Sequence, residues 1–336
     1  MLGSVIGGYR LIAPLGCGGM GEVYLGVHEA TNEPAAIKTL LPEHANNPVL
    51  VARFFAEAVA ASMIEHPGLA RVMSHSHSRG KQAYIIMEYL QGESLSERLF
   101  ERGYLPIAAA VEIARQATEA LAAAHDCGII HRDIKPANIY LCDRDDGADE
   151  VKLLDFGVAK LMDAPLNGEC ATPAGSVLGT PSYMSPEQCR GQIDVDHSTD
   201  LYALGCVLFA MLCGRPPFVG RRLGSLLTAH LSQTPPALRA LRPGIPAAVE
   251  QVVTRLLSKP REQRYDSAHE LALALAAIPT DELAAADEAE SLDLEPRFSC
   301  RRAPSSPWDS MDRRSSDTLP ALSTASALRL LCALAE

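Results

Sequence analysis

One short polar run constrains this chain more than any other feature. It reads His131-Arg132-Asp133-Ile134-Lys135-Pro136-Ala137-Asn138, and Asp155-Phe156-Gly157 follows, 22 residues beyond Asp133. Phosphoryl transfer depends on positioning and charge neutralisation more than on covalent chemistry. It needs a carboxylate beside the attacking hydroxyl, a cation near the transferred group and oxygen ligands for a divalent ion. Asp133, Lys135, Asn138 and Asp155 supply that set. Mg²⁺ favours hard oxygen donors and keeps several waters, so one aspartate and one asparagine together with phosphate oxygens satisfy it.

Two further signals lie upstream. Leu15-Gly16-Cys17-Gly18-Gly19-Met20-Gly21-Glu22-Val23 contains GxGxxG, a weak motif by itself because dinucleotide folds share the spacing. Those folds continue as a helix, whereas Val23-Tyr24-Leu25 continues as a strand, so the glycines form a hairpin lid whose amides can approach phosphates. Downstream, Lys38 interrupts the apolar strand Ala35–Leu40, and Glu57 interrupts an apolar helix. Each charge is costly to bury without an opposite partner. A Lys38–Glu57 pair accounts for both and holds the ammonium where α- and β-phosphates could sit.

The remaining pattern divides the chain. Strands and turns fill 9–41, a helix begins after Asn47 with Pro48 at its first position, and Tyr84–Tyr89 is a buried strand. From Pro106 the apolar spacing is helical until Gly128, short strands follow at 139–141 and 151–154, and the region to about 278 is mostly helical. A small sheet-rich half and a larger helical half make a two-lobed α+β fold. Residues 279–336 are rich in Asp, Glu, Ser, Pro and Arg, which predicts a disordered tail, with a short helix over Leu319–Ala335. The run Leu201–Cys213 is too short for a membrane span and reads as a core helix.

Forty-one acidic against 30 basic residues argues against nucleic acid as a partner. Nine cysteines, none spaced as CxxC, argue against a disulfide framework or a zinc site. Arg10 within the mildly apolar N-terminus, without a cleavage-like pattern, argues against a signal peptide. Cytoplasmic residence without a membrane span is the expectation.

Taken together, the motifs resemble those of eukaryotic-type (Hanks-type) serine/threonine protein kinases in their bacterial form, over about residues 9–278. The resemblance implies a kinase fold with an N-lobe over about 9–88, a C-lobe over about 92–278, and ATP with Mg²⁺ (or Mn²⁺) as reactants. It makes Met87 the gatekeeper, Glu88 and Leu90 the hinge, Val23 and Ala36 the roof over adenine, and Tyr140 the floor. Lys135, two residues after Asp133, is the serine/threonine arrangement. Gly179–Glu187 matches the substrate-binding end of the activation segment, Asp200 the anchor of the catalytic loop, and Arg264 the partner of Glu187. Arg132 is implied to receive a phosphate from that segment, with Thr172 and Ser176 as acceptors. Thr180 is expected to hydrogen-bond Asp133 and Lys135. Ser185 stands where alanine is usual, and Tyr140 is bulkier and more polar than the usual aliphatic floor.

The implied partners are proteins presenting serine or threonine, and a second copy of the chain for phosphorylation in trans. Two other readings share part of the pattern. An aminoglycoside-type small-molecule kinase uses the same Asp/Asn/Asp set but lacks the Pro186-Glu187 and Arg264 elements. A pseudokinase scaffold is expected to have lost Lys38, Asp133 or Asp155, and all three are present.

Overall fold

Alternating apolar residues and tight turns build the first half of the protein. In the computed structural model, which describes residues 1–18, 20–76, 83–144, 147–156, 181–192, 194–220 and 222–293, an antiparallel sheet comes first. Its strands are β1 (Val5–Ile6), β2 (Tyr9–Cys17), β3 (Gly21–His28), β4 (Pro34–Leu40), β5 (Val72–Ser76) and β6 (Tyr84–Glu88), in the order β1-β2-β3-β4-β6-β5. The sheet thus starts at Val5, a few residues before the predicted edge. Between β4 and β5 runs α1 (Pro48–Ser62), where the Asn47 side chain accepts from the Val49 and Leu50 amides. That cap satisfies two donors the first turn leaves over. Phe54 and Ala58 of α1 pack with Leu40 and Ile85 of the sheet.

The second half is helical around a small hairpin. β7 (Gly92–Ser94), α2 (Leu95–Arg102) and α3 (Ile107–Asp126) precede the polar run, and β8 (Ile139–Asp143) and β9 (Asp149–Leu153) follow it. α4 (Pro186–Cys189), α5 (Ser198–Cys213), α6 (Leu223–Ser232), α7 (Leu238–Leu241), α8 (Ala247–Leu256), α9 (Ala268–Ala276) and α10 (Thr280–Asp293) complete it. α5 is buried on every side, as a helix apolar all round must be. α3 and α5 form the centre of the main core with Leu141, Leu153 and Phe156. No helix among the described residues is long and apolar enough to cross a membrane.

Residues 280–293 correct the expectation of a disordered tail from 279. Leu283 is buried in the main core. The Asp287 carboxylate accepts from the Ile107 and Ala108 amides at 2.6 and 3.0 Å, capping α3, whose own Pro106 offers no side-chain cap. Glu290 binds the guanidinium of Arg242, which is 8 % exposed and also donates to the Leu105 and Leu212 carbonyls at 2.9 and 3.0 Å. Composition favoured disorder because α10 is acidic. The tertiary partners, a helix N-terminus and a buried arginine, are what its acids answer.

Ending the chain after Ile278 is therefore expected to destabilise the fold. Burial of one leucine contributes about 1.5–3 kcal/mol and a helix cap about 1 kcal/mol. The thermal midpoint should fall by roughly 5 °C or more. Calorimetry of that truncation beside one ending after Asp293 checks it, and equal midpoints would mean that α10 contributes nothing.

Candidate active site

The glycine-rich hairpin is shaped by what its backbone must approach. Gly18 and Gly21 bond each other's backbone at 2.8 and 3.3 Å, closing the turn between β2 and β3. A Cβ on Gly21 would lie 2.2 Å from the Thr39 carbonyl, so a side chain is excluded there, whereas at Gly16 it would meet nothing within 4 Å. Leu15 and Cys17 are exposed along the same strand. The Glu22 side chain is taken up by the Tyr24 hydroxyl at 2.6 Å. Met20 packs into the N-lobe cluster of Leu40, Val51 and Phe54, and its carbonyl accepts from Leu41. Its side chain is thus partly taken up by packing. Gly19 lies outside the described residues.

Behind the hairpin, β4 pairs Ala36 with Met87 of β6, and Lys38 lies opposite Val23 of β3. Met87 packs against the same N-lobe cluster. The Lys38 ammonium donates to Asp155 Oδ1 at 2.7 Å, joining the sheet to the residue that opens the second motif. The expected Lys38–Glu57 pair falls outside the described residues on the Glu57 side. Glu88, expected at the hinge, is held by two donors. Its carboxylate accepts from Lys152 Nζ at 2.9 Å and from the Arg71 amide at 2.8 Å, tying β6 to β9. Leu90 follows in the extended link, half-buried. Tyr140 donates its hydroxyl to the Gly92 carbonyl at 2.8 Å, and burial pushes its phenol up to about 12. The polar end of Tyr140, expected as the floor, is therefore satisfied within the protein.

The catalytic loop is held by one buried carboxylate. Asp200, in the first turn of α5, accepts from the His131 amide at 2.8 Å, the Arg132 amide at 2.7 Å and His125 Nε2 at 2.8 Å. These bonds offset the strain at Arg132, a non-glycine residue with φ of 65°. His131 Nε2 donates to the Leu154 carbonyl, its Nδ1 accepts from the Asp133 amide, and its ring lies 4.8 Å from that of Phe156. Burial pushes the imidazole below its ordinary pKa despite the nearby Asp200 and Asp133 charges, which keeps it neutral. Sequence reading assigned no role to His125 or His131 individually. Nothing local marks them, since their partners lie 75 and 23 residues away.

Around this frame the reactive groups converge. Lys135 Nζ donates to Asp133 Oδ2 at 2.7 Å, and Asn138 Nδ2 donates to the Asp133 carbonyl at 2.8 Å and to Oδ2 at 3.1 Å. Because its Nδ2 faces Asp133, the Asn138 amide oxygen remains as a hard donor. Asp155, at φ 46°, keeps a side chain that is 49 % exposed. Asn138 and Asp155 thus fit the donor set a Mg²⁺–nucleotide requires. Gly157, the expected acceptors Thr172 and Ser176, and Thr180 lie outside the described residues.

Beyond that segment, Ser185 caps α4 in a capping box with Gln188, whose side chain also donates to the Arg132 carbonyl at 2.9 Å. Glu187 is 3 % exposed and Arg264 1 %. They meet in a two-pronged pair at 2.7 and 3.0 Å, with Thr199 donating to Glu187 Oε1 at 2.8 Å. Burial alone would raise this carboxyl, but the arginine holds it below its ordinary range.

A glycine hairpin, a lysine on the Asp155 carboxylate and an Asp–Lys–Asn loop form the arrangement that phosphoryl transfer calls for. The chain belongs to the protein kinase family: the sequence profile of the protein kinase domain matches residues 9–273. Among bacterial relatives, serine/threonine-protein kinase Pkn1 of Myxococcus xanthus is 42 % identical over 267 residues, spanning 80 % of this chain and 38 % of Pkn1. Serine/threonine-protein kinase PknB of Mycobacterium leprae is 37 % identical over 78 % of this chain and 42 % of PknB. The chain thus spans about two-fifths of the length of these relatives. The crystal structure of the Mycobacterium tuberculosis PknI kinase domain is similar, with a TM-score of 0.63 and 30 % identity, covering 82 % of this chain and 98 % of that one.

Replacing Lys38 by Met removes the only cation described on Asp155. Phosphotransfer should fall by at least about 10²-fold, the lower range for a positioned catalytic group. The nucleotide affinity, read by fluorescence titration, should weaken with it. Full transfer by Lys38→Met would refute the role of this contact.

Proposed function

We propose that this chain is a serine/threonine protein kinase that transfers the γ-phosphate of ATP to hydroxyl groups of proteins. The observation that carries the reading is the grouping of Lys135 and Asn138 on the Asp133 carboxylate, at 2.7 and 3.1 Å. In this reading Asp133 orients the acceptor hydroxyl and takes its proton. Lys135 lies beside it to neutralise the transferred phosphoryl group, and Lys38 contacts the α- and β-phosphates. Asn138 and Asp155 hold Mg²⁺ (Mn²⁺ can replace it), which when bound screens the charge on the phosphates. The hinge and floor, Met87, Glu88, Leu90 and Tyr140, together with Val23 and Ala36, enclose the adenine.

Supporting control by phosphorylation, Arg132 sits at the start of the loop with its Nε buried and without a hydrogen bond, and burial lowers its pKa. A phosphate adds nearly two negative charges that such a guanidinium can pair with. Autophosphorylation at Thr172 or Ser176 in trans, between two copies, follows from this reading, as does residence in the cytoplasm with proteins as substrates.

Incubating the protein with labelled ATP, Mg²⁺ and casein tests the activity. Label on protein is the expected outcome, and label confined to a small-molecule acceptor, or none at all, refutes it. Mass spectrometry of the same reaction should find phosphate on Thr172 or Ser176, and the double Ala variant should lose activity. An active enzyme unmodified between 160 and 178, and indifferent to the double change, would refute the switch.

A further inference from the structure

The capping box of α4 reaches beyond its own helix. Ser185 Oγ accepts from the Gln188 amide at 3.3 Å, and Gln188 Oε1 accepts from the Ser185 amide at 3.0 Å. The other arm of that side chain, Nε2, donates to the Arg132 carbonyl at 2.9 Å, 56 residues earlier in the chain. Both distant partners are backbone groups, one only a donor and one only an acceptor, so the Gln188 amide can point only one way. Beside it the Ser185 hydroxyl meets that of Thr199, which donates to the buried Glu187.

The carbonyl that Gln188 holds belongs to the peptide unit that carries Asp133. The N–H of the same unit donates to His131 Nδ1 at 3.3 Å, so this peptide plane is pinned at both edges. Arg132 needs such support. Its φ of 65° is a strained conformation for a bulky residue, and such strain persists only where surrounding contacts over-determine it. Asp200 holds the amide on the near side of Arg132 at 2.7 Å, and Gln188 holds the carbonyl on the far side. The direction in which Asp133 leaves the backbone follows from that plane. A glutamate three residues after the cap closes a capping box as well as a glutamine does. It has no hydrogen to give the Arg132 carbonyl. The box alone therefore does not call for glutamine at 188, and the tether does.

We propose that Gln188 is a positioning residue for Asp133: it fixes the Arg132–Asp133 peptide plane and makes the place of the carboxylate conditional on the folded turn at 185–188. This rests on reading Asp133 as the group that takes the acceptor's proton. The tether acts through the backbone of the loop. Its loss therefore slows transfer and spares nucleotide binding.

Gln188→Glu and Gln188→Met, assayed for phosphate transfer to casein with ATP and casein varied separately, test it. Gln188→Glu keeps the cap and loses the donor. Its kcat should fall roughly tenfold, the upper range for one hydrogen bond, while KM for ATP stays unchanged. Gln188→Met carries no charge and loses cap and donor together, so its kcat should fall at least as far. Wild-type kcat in Gln188→Glu would overturn the proposal, as would equal losses of kcat and ATP affinity. A loss confined to Gln188→Glu would trace to its added charge and overturn it too. Hydrogen exchange at the Asp133 amide, followed by NMR, reads the peptide plane without any catalysis. It should quicken in both variants, and an unchanged rate would refute the tether. If wild type labels no protein, the kinase reading fails and the exchange rate still decides the tether. Should Gln188→Glu not fold, Gln188→Met carries both measurements.

Discussion

Asp133→Asn is expected to bind ATP as the parent does and to turn over at least about 10²-fold more slowly, the lower range for a positioned acid–base group. The substitution keeps the shape of the side chain and its place beside Lys135 and Asn138, 2.7 and 3.1 Å away. What it removes is the charge that draws the acceptor's proton. Asp155→Asn should lose activity to a similar degree and also bind nucleotide less tightly in Mg²⁺, because it loses the negative charge that favours both the metal ion and the Lys38 ammonium 2.7 Å away. Titration with a fluorescent ATP analogue and labelled-phosphate transfer separate the two effects. Wild-type transfer by either variant would overturn the assignment of that carboxylate.

The largest effect on stability should come from Arg264→Met. Glu187 would be left buried with Thr199 as its remaining described side-chain donor, and breaking a buried pair from one side costs about 3–5 kcal/mol. The double variant Arg264→Met/Glu187→Met should recover much of that loss, since apolar replacement of both partners removes the unpaired charge. Their pH dependences should run in opposite directions. In the wild type the Glu187 carboxyl is held below its ordinary value, so its contribution is complete above about pH 4.3 and is lost as pH falls through the folded value. In Arg264→Met, burial without the arginine raises the same carboxyl, so the deficit is smallest in acid and grows as pH rises. Thermal midpoints from about pH 2 to 8 read both slopes. Parallel slopes would mean that this pair does not govern the site.

The candidate catalytic set is legible in the sequence because phosphoryl transfer calls for particular residue types at close spacing. Asp133, Lys135 and Asn138 fall within six residues of one another, and the backbone of a single loop brings them together. The helix start at Asn47–Pro48 and the buried helix around Leu201–Cys213 were readable for a similar reason, since caps and apolar periodicity are local properties. The disorder expected of residues 280–293 was not upheld, because composition records the acids of α10 but not the α3 N-terminus and Arg242 that receive them.

Short windows of chain carry the family motifs, the two-lobed layout and the candidate groups Asp133, Lys135, Asn138 and Asp155. Only the tertiary structure decided how those groups are held. Asp200 reaches His131 and Arg132 across 69 and 68 residues, and Asp287 caps a helix that begins 180 residues earlier. The Tyr202 hydroxyl likewise meets His230 and Lys259 across 28 and 57 residues. The physical reason is that a hydrogen bond or ion pair depends on distances of about 3 Å in space. Sequence separation carries no record of those distances once the chain has folded back on itself.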